Sequence, residues 1–133
     1  MKEGSEFLYK KESYDIIDAC QEVWKQFGGS FKESIVDRAL EIALRDKGYK
    51  IENQKQINIY FRNKKVGIYI PDKIINEIIL LEIKCKQFIT KEDERQFWHY
   101  LKASSYRLGF LINFGPQKLE FRRRVYDKAR KTK

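Results

Sequence analysis

Pro71-Asp72-Lys73-Ile74-Ile75-Asn76-Glu77-Ile78-Ile79-Leu80-Leu81-Glu82-Ile83-Lys84-Cys85 is the stretch on which the fold turns. From Ile78 to Cys85 it is a nearly continuous apolar run broken only by Glu82 and Lys84. Such a run reads as a central strand covered on both faces. Side chains alternate along a strand, so Glu82 and Lys84 share one face while Leu81, Ile83 and Cys85 share the other. A carboxylate and an ammonium in that setting are costly unless each finds a partner. Two explanations stand open: a structural ion pair, or a site where a divalent cation takes the carboxylate and the lysine works beside it.

Asp72 favours the second. It follows Pro71 at the end of the preceding strand, and Asn76-Glu77 supplies the reversal, so a hairpin brings a second carboxylate toward Glu82. Two carboxylates raise each other's pKa. A hard cation such as Mg²⁺ relieves this and leaves positions for water and phosphate. Register is the obstacle. A tight two-residue turn at Asn76-Glu77 pairs position 75 with 78, hence 72 with 81, and puts Asp72 on Leu81's face. The site therefore requires a bulge, a longer turn or a strand divergence near Pro71.

Upstream, Tyr14 to Phe27 reads as a helix with Ile16, Ile17, Cys20, Val23, Trp24 and Phe27 on one face, stopped by Gly28-Gly29. A second helix runs from about Phe31 to Lys47, with Ile35, Ala39, Ile42 and Ala43 inward. The period then changes to two. Ile57, Ile59 and Phe61 alternate, Asn63-Lys64-Lys65 makes a turn, and Val66, Ile68 and Ile70 alternate again. Downstream lie a helix from about Lys91 to Ser105 with Thr90 as N-cap, and strands at about Leu108–Asn113 and Lys118–Val125. The order is ααβββαββ, an α/β (α+β) domain spanning residues 1–133 with one mixed central sheet flanked by helices. A polar lead-in covers about 1–12 and a basic tail about 126–133.

Composition narrows the class. The chain holds 28 Lys plus Arg against 19 Asp plus Glu, a formal charge of +9. Such an excess attracts polyanions, of which nucleic acid is the usual cytoplasmic one. No apolar stretch is long enough to cross a membrane, and the polar start carries no signal-peptide core, so the cytoplasm is the expected compartment. Cys20 and Cys85 form no CxxC, and with the single His99 they cannot build a four-ligand zinc site. Two reduced thiols are expected.

Pro71-Asp72, nine intervening residues, then Glu82-Ile83-Lys84 resembles the defining pattern of the PD-(D/E)XK nuclease superfamily. An acid-x-Lys triplet occurs only once in the chain, and it falls in the most apolar strand. The segments Tyr14-Asp15-Ile16-Ile17 to Gly28, Phe31-Lys32-Glu33-Ser34, Tyr100-Leu101-Lys102-Ala103 and Leu111-Ile112-Asn113-Phe114-Gly115 are similar to its small GxxExxY-type family. Ser30 and Val36 stand where that motif has Gly and Tyr, and Trp24 where relatives often carry His.

The resemblance implies a restriction-endonuclease-like core and a nuclease that hydrolyses DNA phosphodiesters with Mg²⁺ or Mn²⁺. Asp72, Glu82 and Glu33 would hold the metal, and Lys84 would position the nucleophile. Gln96 and Tyr100, one helical turn apart, look like a QxxxY element that contacts phosphate or metal-bound water. Taken alone, Glu33 is an ordinary first-turn acid, Gln96 a solvated residue and Tyr100 a packing residue. Lys32, Lys86, Lys102, Arg122, Arg123 and Arg124 are the candidate phosphate contacts, although the three arginines alternate in direction along a strand. A homodimer is compatible with this reading. The rival is a non-catalytic domain that keeps the fold and binds nucleic acid or a partner.

Overall fold

The computed structural model describes residues 8–29 and 31–127. Most of the expected lead-in and tail, and the position of Ser30, lie outside them. Helix α1 (Lys10–Phe27) buries Ser13, Ile16, Ala19, Cys20 and Val23, the three-and-four spacing of one helical face. It begins one turn earlier than periodicity suggests. Gly28, at φ 70°, ends it. Gly29 is required by contact, because a Cβ there would lie 2.0 Å from the Gly115 carbonyl oxygen. Trp24 Nε1 donates to that same oxygen at 3.0 Å, fixing the end of α1 to the turn after Phe114.

Helix α2 (Glu33–Asp46) buries Val36, Leu40 and Leu44. This corrects the expected inward face, since Ile35 and Ile42 are exposed and Ala39 and Ala43 only partly buried. Both stripes are amphipathic, but the observed one buries the two leucines. It also sets Glu33, Asp37 and Glu41, four residues apart, along one side of the helix.

Five strands follow where three are expected: β1 (Ile51–Asn53), β2 (Ile57–Phe61), β3 (Lys64–Tyr69), β4 (Lys73–Ile75) and β5 (Ile79–Lys84). Then come α3 (Lys91–Ser104), β6 (Leu108–Phe114) and β7 (Leu119–Val125). The main sheet is mixed, in the order β1-β4-β5-β6-β7, with β5 and β6 parallel and the other neighbours antiparallel. Strands β2 and β3 pair only with each other. Their turn is Arg62-Asn63, both at positive φ, one position earlier than expected.

Helix α3 carries the parallel crossover between β5 and β6. Thr90 caps it reciprocally with Asp93: Thr90 Oγ1 accepts from the Asp93 amide and Asp93 Oδ2 from the Thr90 amide, each at 3.0 Å. One core lies between the sheet and α1 and α2, and contains Leu81, Ile83, Phe110 and Ile112. The other lies on the opposite face under α3 and the β2–β3 hairpin, and contains Ile74, Leu80, Phe97, Leu101 and Leu111. Strand β5 is thus covered on both sides, as its apolar run requires. Among the described residues no helix is long and apolar enough to cross a membrane.

Candidate active site

The register problem is solved by one residue. Ile78 N–H donates to the Ile75 carbonyl at 3.0 Å, closing a turn whose central residues Asn76 and Glu77 both have positive φ. Ladder pairing then starts at Ile75 with Ile79, so Ile78 is extra, and Lys73 pairs with Leu81. One step further, Asp72 stands opposite Glu82 and on its face. The turn is held from the side: the Lys50 amide donates to Asn76 Oδ1 at 2.8 Å, and the Lys50 ammonium pairs with Glu77.

Asp72 Oδ2 accepts from the Ile83 amide at 2.7 Å. Tyr69, at the end of β3, donates its hydroxyl to Glu82 Oε2 at 2.6 Å. Burial pushes the Glu82 carboxyl up to about 7; the Tyr69 hydrogen bond opposes this, Asp72 beside it adds to it, and Lys84 opposes it. Lys84 is half-buried and, among the described residues, makes neither hydrogen bond nor ion pair. Its charge is nonetheless felt by Glu82 and Glu33. The structural ion pair that would explain Glu82 and Lys84 cheaply is not formed.

Glu33, in the first turn of α2, belongs to the same electrostatic neighbourhood. Partial burial raises its pKa, Asp72 raises it further, Lys84 lowers it and Asp37 raises it. Tyr100 reaches the cluster through Tyr69: the rings stack with centroids 4.2 Å apart and planes 7° apart. Gln96 is exposed on α3, and no hydrogen bond ties it to the cluster among the described residues. The Cys85 thiol is pushed up to about 11 by burial, then by Glu33 and Asp72, which leaves it protonated and inert at neutral pH.

Two residues that sequence reasoning passed over matter here. Tyr69, the buried end of an alternating strand, orients Glu82. Lys73, fully buried beside Asp72, pairs with Asp37 Oδ1 at 2.6 Å and donates to Asn53 Oδ1 at 2.7 Å. It ties β4 to α2 and β1 next to the site. The signal was available in Asp37, which repeats Glu33 one helical turn on.

The basic candidates are largely engaged. Lys86 pairs with Asp93 at 2.8 Å, and Lys102 lies 5.4 Å over the Trp98 ring. Arg122 and Arg124 share Glu94, at 2.6 and 3.5 Å. Arg123 points the other way, to Ser13 Oγ at 3.3 Å and the Leu8 carbonyl at 2.6 Å. Lys32 is exposed.

Among the described residues no group of three or more His, Cys, Asp or Glu is assembled as a metal cage. Asp72 and Glu82 bring two carboxylates together, with Glu33 in the same electrostatic neighbourhood. Such a set fits a Mg²⁺-like ion, which keeps several waters and takes one or two carboxylates, better than a fully enclosed cation.

Residues 10–125 match the protein-family model of the PD-(D/E)XK nuclease superfamily. No curated protein and no solved structure matches the chain. Members of that superfamily are usually nucleases that use divalent metal ions. The matched span includes the whole sheet and every residue of the Asp72/Glu82/Lys84 cluster. The chain belongs to the PD-(D/E)XK nuclease superfamily.

Proposed function

We propose that the chain is a nuclease of the GxxExxY type that hydrolyses DNA phosphodiesters at Asp72, Glu82 and Lys84. The observation that carries this reading is the convergence of two carboxylates across β4 and β5 with a lysine that makes no hydrogen bond or ion pair among the described residues. Asp72 and Glu82 would hold Mg²⁺ or Mn²⁺, which would supply Lewis acidity and lower the pKa of a water. The Ile83 amide fixes the Asp72 carboxylate, and the Tyr69 hydroxyl fixes Glu82. Lys84 orients the attacking water and counters charge developing on the phosphate. Glu33 adds a carboxylate from α2 at the rim, and Tyr100 backs Tyr69. The +9 charge favours a polyanionic substrate.

The test is cleavage of a panel of single-stranded, duplex and branched DNA with Mg²⁺, with Mn²⁺ and with EDTA, beside Asp72→Ala. Metal-dependent cleavage that Asp72→Ala lacks supports the enzyme. DNA binding without cleavage under every metal condition supports the rival, a non-catalytic domain.

A further inference from the structure

The β2–β3 hairpin carries a surface that the proposed site does not use. Its inner side, Ile57, Ile59 and Tyr69, packs against the core beneath α3. Tyr60 continues the outer side, and Phe61, next along β2, continues the side of Ile57 and Ile59 beyond the core, at the exposed tip. Tyr60 and Phe61 are each 60% exposed and Val66 is 63% exposed, and Ile68 and Ile70 are exposed beside them. These are five of the ten exposed large hydrophobic side chains among the described residues, a density that marks an interaction surface rather than scatter.

Local geometry presents them. The register steps from Ile59↔Gly67 to Tyr60↔Lys65, so Val66 is an extra residue and the hairpin end is re-aimed. Arg62 lies 5.0 Å over the Phe61 ring, holding the aromatic and a cation together at the tip. From Gln54 to Pro71 there is no acidic residue, while Lys55, Arg62, Lys64 and Lys65 are cationic. Lys55 lies 3.8 Å from Glu52, but the three tip cations make no ion pair among the described residues.

That chemistry selects the occupant. A second copy would oppose two identical cationic tips, so self-association is disfavoured. A polyanion with flat apolar faces satisfies both halves of the surface, as exposed bases stack on aromatic rings while phosphates meet the cations. A paired duplex hides its base faces. On the outer side Asn58 Nδ2 donates to the Tyr60 hydroxyl at 3.4 Å.

We infer that the hairpin tip is a platform for unpaired deoxynucleotides of the substrate strand. Tyr60 on one side of the tip and Phe61 on the other stack on bases, and Arg62, Lys64 and Lys65 contact phosphates. This rests on the DNA-hydrolysing reading of the chain. Lys64 is five strand residues from Tyr69, about 17 Å, so the platform holds the strand about five stacked bases from the carboxylates.

Fluorescence anisotropy of labelled single-stranded DNA, blunt duplex DNA and RNA, in EDTA, tests it. Tyr60→Ser/Phe61→Ser should lose about tenfold or more in affinity for single-stranded DNA and keep its duplex affinity. Lys64→Gln/Lys65→Gln should lower the salt slope on single-stranded DNA by about 1.4. Melting temperatures should fall only slightly, because these side chains are largely exposed and lose just the Asn58–Tyr60 hydrogen bond and the Arg62–Phe61 contact. Unchanged single-strand affinity, equal losses on duplex, preference for RNA, or a drop in sedimentation mass in place of lost DNA affinity would each overturn the platform. The measurement needs no turnover. Hairpin-dependent binding without metal-dependent cleavage removes the enzyme and keeps the platform, whereas cleavage with hairpin-independent binding removes the platform alone.

Discussion

Replacing Glu82 by Gln should make the metal-free protein less sensitive to alkali, by an amount fixed by the site itself. The Glu82 carboxyl stands near 7 in the folded chain against an ordinary value of 4.5. Folding therefore favours its protonated form. The stabilising effect of that proton is complete below about 4.5 and is lost as pH rises through about 7. At about 1.4 kcal/mol per pH unit the loss is about 3 kcal/mol by pH 8. Glu82→Gln removes the titration while keeping an acceptor oxygen for the Tyr69 hydroxyl. Groups held below their ordinary values, such as Asp15, Glu41 and Asp93, act at lower pH and are common to both proteins. Urea unfolding in EDTA from pH 4.5 to 8.5 reads the difference. The variant should gain on the parent by about 3 kcal/mol between pH 4.5 and 8. A constant difference, or a gain toward acid, would refute a buried Glu82 crowded by Asp72.

Lys73→Met should destabilise the fold by about 3–5 kcal/mol, because Asp37 loses the ammonium it pairs with at 2.6 Å. Lys73→Met/Asp37→Leu should recover much of that loss in a thermal melt. Tyr69→Phe removes a hydrogen bond that favours ionised Glu82, so the pH midpoint of the stability curve should move up. Deleting Ile78 should leave Asn76-Glu77 as a two-residue turn with Ile75 still opposite Ile79, so Asp72 stays opposite Glu82 and Mn²⁺ binding measured by calorimetry should persist.

The strand that carries the site was legible because two charges interrupt an apolar run. Its register was not. The number of residues between Asp72 and Glu82 leaves open whether Ile78 belongs to the turn or the strand, and the left-handed pair Asn76-Glu77 carries no glycine to announce it. Strands β1 and β4 span three residues each, too short for alternation to show, and Lys73 disguises β4 as polar. The faces of α2 were ambiguous because Ile35/Ile42 and Val36/Leu40/Leu44 are both acceptable apolar stripes; packing chose the second, and with it the approach of Glu33. Glu33 was legible only through family resemblance, and Tyr69 not at all, since an aromatic ending a strand reads as ordinary core. The arginines of β7 were correctly read as alternating, but their pairing with Glu94 depends on the docking of α3 and has no local signature.

The measurement that bears most directly on the central claim is single-turnover cleavage by Lys84→Ala, alongside its DNA affinity and its melting temperature with and without Mg²⁺. Lys84 makes no internal pair among the described residues, so the variant should fold like the parent and bind DNA and metal, yet lose turnover. A variant that cleaves at the parental rate, or that is grossly destabilised in a protein Mg²⁺ never stabilises, would contradict it.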